Sequence, residues 1–278
     1  MSRGVLLFAH NNSEIDYAKL AVYAAQRAKK FLQVPVSVVT DNKSIFDNVD
    51  ADVFDNIIEL SDKLTVNHKY FADGSNKNVH TVWNNTSRYS AYSLTPYDDT
   101  LVIDVDYIIN STTLNYCWDQ PHDFLIYQKG FDLAQWRNVD EFTSIGEHGI
   151  PFYWATVFFF RKTSNTELLF SLIFHIKANW TYYKLVYQVH SSNFRNDIAF
   201  SIAIHMLNGF SLGTFAHHLP GKLFYITDSD FLYQVDDTIM KFLVQKKDST
   251  VDYTPIKTST VDVHVMNKYS LLRQINNA

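Results

Sequence analysis

Leu101-Val-Ile-Asp-Val-Asp-Tyr-Ile-Ile109 is an apolar run broken by two carboxylates, and its reading decides the fold. The run Leu101, Val102 and Ile103 is apolar without alternation, as expected of a central strand covered on both faces. Asp104 and Asp106 follow at its end, one residue apart. In an extended chain they share a face, while Val105 points into the protein. Two carboxylates so placed repel each other. A hard cation such as Mg²⁺ or Mn²⁺ relieves that repulsion by supplying charge and taking oxygen ligands.

Working outward, residues 5–9 form a short apolar strand, and the polar His10-Asn11-Asn12-Ser13 follows. Ile15, Ala18, Val22, Ala25 and Leu32 then mark the buried face of a helix that Ser13 can cap. Strands are expected over 34–40, ending at Asp41, and over 56–60. This order of apolar strand, helix and strand implies a mostly parallel sheet flanked by helices, a Rossmann-like α/β fold. Ligands of such sheets bind beyond the carboxyl ends of the strands, where His10, Asp41 and the aspartate pair all fall. Residues 64–85, polar and carrying Asp73-Gly74-Ser75-Asn76, read as a loop or lid. A helix is expected over 86–94, strands over 124–127 and 152–160, and helices over 167–180 and 196–208, the last closed by Gly209. Short strands are expected around 224–227 and 250–253, ahead of Val261-Asp-Val-His-Val-Met-Asn-Lys268.

With 278 residues the chain is long enough for one large α/β domain, read here as a single catalytic domain with a C-terminal extension. Cys117 is the sole cysteine, which excludes an intrachain disulfide and thiolate metal sites and points to a reducing compartment. The N-terminus lacks the apolar length of a signal peptide. The apolar block 150–160 is broken by Arg161 and Lys162 before the roughly 20 residues that a membrane span needs. A cytoplasmic location is therefore expected, the host cytoplasm if the chain is viral, with triplets such as Asn84-Asn85-Thr86 and Asn179-Trp180-Thr181 unglycosylated. The net charge of −5 argues mildly against a dedicated nucleic-acid binder. Lys241, Lys246 and Lys247 read as a solvated helix end.

Four pieces in order give the chain its resemblance to a known family: Leu7-Phe-Ala-His-Asn11, Arg88 ahead of Tyr97-Asp-Asp-Thr-Leu-Val-Ile-Asp-Val-Asp106, Arg195-Asn-Asp-Ile-Ala-Phe200, and His264-Val-Met-Asn-Lys268. Together they resemble the GT-A fold glycosyltransferases that use nucleotide-diphosphate sugars, most closely the family-eight, glycogenin-like and galactosyltransferase-like type. The resemblance implies that Asp104, Asp106 and His264 bind Mn²⁺ or Mg²⁺, with Asp104, Val105 and Asp106 lining the donor, a UDP-sugar by preference. It implies that Lys268 adds positive charge to the same diphosphate and that Arg88 approaches the donor. Asp41 takes the place of the residue reading the base or ribose, opposite Ala9, His10 and Asn11. Asp197 becomes the acceptor-side carboxylate, a base if the reaction inverts the anomeric centre. Residues 1–110 correspond to the nucleotide-binding half, and 111–278 to the acceptor half with the C-terminal metal and diphosphate segment. The acceptor is left open among a glycan, a lipid-linked saccharide, a protein and a hydroxymethylated base of DNA.

Two features depart from the family: Trp154-Ala-Thr156 replaces its usual Asn-Ala-Gly, and Met266-Asn-Lys268 replaces the common Gly-x-x-Lys-Pro-Trp ending. Two other readings compete. A haloacid dehalogenase-like phosphohydrolase would use Asp104 as nucleophile and Asp106 as proton donor, with Asp236-Asp237 as its downstream acids. A non-catalytic nucleotide-sugar-binding module would keep the site but not turn over.

Overall fold

The computed structural model describes residues 2–60, 67–84, 86–135, 137, 143–146, 149–191 and 193–277. In its first half the elements are β1 (Arg3–Phe8), α1 (Tyr17–Leu32), β2 (Val36–Thr40), β3 (Asn56–Glu59), β4 (Asn67–Asp73), β5 (Lys77–Trp83), α2 (Ala91–Leu94), β6 (Asp99–Ile103), β7 (Tyr107–Ile108), β8 (Phe124–Tyr127) and β9 (Gly130–Asp132). The second half holds β10 (Ser144–Ile145), β11 (Ile150–Pro151), β12 (Trp154–Arg161), α3 (Ser164–Ala178), α4 (Trp180–Val186), α5 (Asn196–Leu207), β13 (Leu223–Ile226), β14 (Phe231–Asp236), β15 (Ile239–Gln245), β16 (Tyr253–Ser259), β17 (Val263–Val265) and α6 (Lys268–Asn277).

Among the described residues the central sheet runs β3-β2-β1-β6-β12-β8. Its first four strands are parallel, and β12 is antiparallel to both β6 and β8. The expected mostly parallel α/β sheet is therefore present. Strands β2 and β6 are buried at every position because the sheet is covered on both faces. Helix α1 packs on β1 and β2, and α5 on β12. Behind β12 the core is aromatic: the Phe158 and Phe200 rings lie 4.8 Å apart, as do those of Phe160 and Phe170. Burial of each such ring stabilises the fold by about 1.5–3 kcal/mol.

The local differences have physical causes. Helix α1 is capped by Asp16, which accepts the Lys19 N–H at 3.1 Å; Ser13 instead bonds Thr81 at 3.0 Å. Asn12 explains the delay, because its side-chain oxygen takes the N–H groups of Glu14 and Ile15 and holds them in a turn. Residues 67–83, expected as loop, form the antiparallel hairpin β4–β5, while 61–66 and Asn85 lie outside the described residues, as does that part of the Asn84-Asn85-Thr86 triplet. The turn chemistry at Asp73-Gly74 is real but serves as the hairpin's tip. Lys241 lies within β15 and Lys246 follows its end, so this basic stretch is no helix end. The three-stranded β14-β15-β16 sheet was masked in sequence by its polar outer face.

The aspartate pair also differs from the extended reading. Strand β6 stops at Ile103, and residues 104–107 form a turn closed by Tyr107 N–H to Asp104 O at 3.0 Å. Asp104 N–H is tied to Thr156 O of β12 at 2.9 Å. Turn geometry, rather than strand alternation, aims both carboxylates.

Gly74 has φ +59°, and a Cβ there would lie 2.2 Å from the Phe231 ring. Gly74→Ala should destabilise the protein by about 1–3 kcal/mol through crowding and a left-handed backbone. Urea unfolding checks this; an unchanged midpoint would show that the hairpin tip is not packed as described.

Candidate active site

Local pattern gives no reason for His264 to meet Asp106, more than 150 positions earlier, which the family resemblance alone implied; strand pairing supplies the physical cause. Strand β7 leaves the aspartate turn directly and pairs antiparallel with β17, setting His264 opposite Tyr107 and Val263 opposite Ile108. Val265 N–H closes the join on Asp106 O at 2.9 Å. One ligand atom from each of Asp104, Asp106 and His264 then lies within 4.8 Å of the others. After β17 the chain turns into α6, where buried Asn267 accepts the Ser270 N–H at 2.9 Å. That cap fixes Lys268 as the first helical residue, and its Nζ reaches Asp106 Oδ2 at 2.5 Å.

Both carboxylates are already matched by cations. Arg88, buried on the short 3₁₀ turn before α2, forms a close ion pair with Asp104 Oδ1. Asp106 has Lys268 on one oxygen and His264 Nε2 at 3.4 Å from the other. Burial by itself would raise the Asp106 pKa, but Lys268 and His264 hold the carboxyl well below the usual range. Burial likewise opposes the Lys268 charge, and Asp106 outweighs it, so the ammonium is held above its ordinary value.

These groups line a cavity of about 370 Å³, within the range of small-ligand sites. Its wall includes Arg88, Asp104, Val105, Asp106, Asp197, His264 and Lys268, gathering seven of the expected residues. Asp197, in the first turn of α5, accepts the Ala155 N–H at 2.8 Å and faces Arg195 at 3.2 Å. Tyr17, Lys69, Trp83 and Asn193 also line the wall and were not anticipated, while Trp154, Thr156, Arg195 and Met266 line it from within the quoted motifs without having been given a role. Lys69 had a signal in the sequence: in strand register it falls on the same face as Phe71, which is buried. Tyr17 opens α1, and its buried hydroxyl has a pKa pushed up to about 12 by burial.

Ala9, His10, Asn11 and Asp41 form a neighbouring cluster rather than this wall. Buried His10 bonds Asp41 through Nδ1 and the Ser87 hydroxyl through Nε2, both at 3.0 Å. The hydrogen bond from His10 holds the Asp41 carboxyl below its ordinary value. Asn11 accepts the Ala18 N–H at 3.0 Å, so its side chain secures α1. Because Ser87 precedes Arg88, the cluster braces the turn that carries the guanidinium.

The donor set fits a divalent cation. Two carboxylates and an imidazole suit Mn²⁺ or Mg²⁺, and the buried His264 Nδ1 has no hydrogen-bond partner. Asp236 and Asp237, the acids a phosphohydrolase would need, lie exposed at the β14–β15 turn and off the cavity wall. Asp237 is paired there with Lys30.

No protein-family model and no curated protein matches the chain. Among solved structures it is similar to the galactosyltransferase LgtC in complex with donor and acceptor sugar analogs, at 14% identity and TM-score 0.47, over 72% of this chain and 70% of that one. It is also similar to the glycosyltransferase GlyE of Streptococcus pneumoniae TIGR4, at 11% identity and TM-score 0.42, over 79% of this chain and 45% of that one. Likenesses this distant carry no weight for function, which stands on the site's own geometry.

Removing one charge from the buried pair strands the other. Asp106→Asn should cost about 3–5 kcal/mol of stability at pH 7, and Asp106→Asn with Lys268→Met should regain part of it. Chemical denaturation of both variants checks this; equal stability of the single variant and wild type would place the Lys268 ammonium in solvent instead.

Proposed function

We propose that this chain is a metal-dependent glycosyltransferase of the GT-A type, moving a sugar from a nucleotide-diphosphate donor, a UDP-sugar in the first instance, to a hydroxyl acceptor. One observation carries the reading: two mid-chain aspartates and a late histidine converge at the carboxyl end of the central strand β6, on a cavity that also holds Arg88, Lys268 and Asp197. Mn²⁺ or Mg²⁺ bound by Asp104, Asp106 and His264 would supply the positive charge that a departing nucleoside diphosphate needs.

The chain's own groups divide the remaining work. Lys268 is a fixed positive charge beside the diphosphate position, set by the start of α6. Arg88 presents a planar fork suited to phosphate or sugar oxygens, and its buried turn keeps that fork from wandering. Trp83, Trp154 and Met266 supply apolar wall, which limits water and strengthens each charge interaction. Asp197, on the same cavity wall, is assigned the role of acceptor-side carboxylate, with one oxygen anchored by Ala155 N–H so that its orientation is set before substrate arrives.

On this reading residues 1–110 supply the donor half and residues 111–278 the acceptor half, with His264 and Lys268 crossing back to the donor. Reading of the base or ribose is assigned to the Ala9, His10, Asn11 and Asp41 segment, with the half-buried Asp41 and the backbone as the groups left for it, since the His10 and Asn11 side chains are held within the protein. A hydroxymethylated base of DNA is kept as an alternative to glycan and protein acceptors. Phosphohydrolysis is disfavoured by the remote, exposed Asp236 and Asp237. No helix among the described residues is long and apolar enough to cross a membrane.

A thermal-shift screen of UDP, GDP, ADP and CDP sugars with Mn²⁺ tests the reading. The right donor at a hundredfold excess over Kd stabilises the folded state by about 2.7 kcal/mol, and EDTA should abolish the shift. Absence of any shift across the panel would sink the proposal. With the donor known, Asp197→Ala should lower kcat roughly a hundredfold or more while donor affinity holds. Equal losses in both would move Asp197 to the donor side.

A further inference from the structure

The β4–β5 hairpin places a cation where the fold has no use for one. Lys69 pairs with Thr81 across the hairpin, and Phe71 and Trp83 lie on the same face by alternation. Phe71 is buried and Trp83 lines the cavity, whereas the opposite face carries the exposed His68 and Tyr70. Lys69 therefore projects inward. The surface it leaves open belongs to the cavity wall rather than to the outer face of the hairpin.

Its ammonium makes no hydrogen bond or ion pair among the described residues. The Phe71 and Trp83 rings lie 5.9 Å and 5.7 Å from Nζ, contacts that recover only part of what hydration would give. Every other cation assigned a place on this wall has a carboxylate beside it: Arg88 has Asp104, Lys268 has Asp106 and Arg195 has Asp197. Lys69 keeps solvent contact, yet desolvation by the protein around it pulls its pKa down to about 8, with Lys268 and Arg195 adding to the fall and Asp106 and Asp228 opposing it. Lys69 is solvent-exposed but turned to the cavity, and a cation on that wall with no carboxylate paired to it is a site for an anion.

The hairpin is also held firmly enough to act as a fixed wall. At its tip Gly74 N–H bonds Asp228 O at 2.9 Å, and Asp73 pairs with Arg273 of α6 at 2.7 Å. Along its length Asn12 bonds Val82 O at 2.9 Å, and Asn193 bonds His68 O at 2.6 Å. The last contact ties the strand bearing Lys69 to the segment that leads into Asp197.

We infer that Lys69 binds a phosphate group of a substrate inside the cavity, as an anion-binding residue supplied by the hairpin and lying outside every motif of the sequence. The inference rests on the glycosyltransferase reading and extends it. The phosphate belongs either to the donor's diphosphate or to an acceptor that itself carries one.

Calorimetric titration of the full chain distinguishes the sources, with inorganic pyrophosphate plus Mg²⁺ as one probe and inorganic phosphate without metal as the other. Lys69→Ala and Lys69→Gln should weaken binding about tenfold or more, and Lys69→Arg should keep most of it. Lys69→Gln retains the stem that packs on Phe71 and Trp83, so a thermal unfolding curve matching wild type separates lost charge from lost folding. A loss confined to pyrophosphate with Mg²⁺ assigns Lys69 to the donor, and a loss confined to free phosphate assigns it to the acceptor. Wild-type affinity in both neutral variants, for both probes, would overturn the inference and leave the transferase reading standing. Failure of wild type to bind either probe would overturn both.

Discussion

The pairing of β7 with β17 is the constraint on which the site depends. Two residues of strand after the aspartate turn meet three residues of strand near the C-terminus, and the register fixes His264 beside Asp106. A one-residue slip would turn the imidazole to the opposite face of the sheet. The register is held from both sides. Val265 N–H closes on Asp106 O, β13 pairs parallel with β17 along its other edge, and Asn267 caps α6 immediately downstream. The convergence of His264 on Asp104 and Asp106 and the position of Lys268 are thus consequences of one short ladder.

Electrostatics then makes that convergence tolerable. Asp104 and Asp106 approach each other in a partly desolvated turn, which would ordinarily drive one of them to hold a proton. Here Arg88 and Lys268 arrive from different parts of the chain and neutralise one carboxylate each. The site is charge-balanced in the free protein, and a divalent cation would share the carboxylates with those two side chains. Lys69 stands outside this balance, which makes it the informative exception.

Much of the fold was legible because burial on both faces forces uninterrupted apolar strands, and β1, β2 and β6 carry them. The aspartate pair was legible for the same reason, since polar residues ending such a strand have to be placed at its carboxyl edge. The hairpin was not. Its outer face is polar, its inner face carries Lys69 and Thr81 among apolar residues, and its turn residues match those of an unstructured loop. Ser13 looked like a cap until Asn12 took the neighbouring amides, a competition that hydrogen-bond geometry decides and residue type does not.

By itself the sequence determined the α/β class, the central strand, the helix faces and the presence of two carboxylates at a strand end, because these follow from local periodicity and from what can be buried. Only the tertiary structure decided that His264 and Lys268 meet Asp106, that Arg88 meets Asp104, and that Lys69 and Trp83 close the cavity while His10 and Asp41 brace its edge. Such meetings depend on strand register and on side-chain directions across residues far apart in the chain. Local pattern does not encode them, because a shift of one residue in a single ladder redirects every side chain it carries.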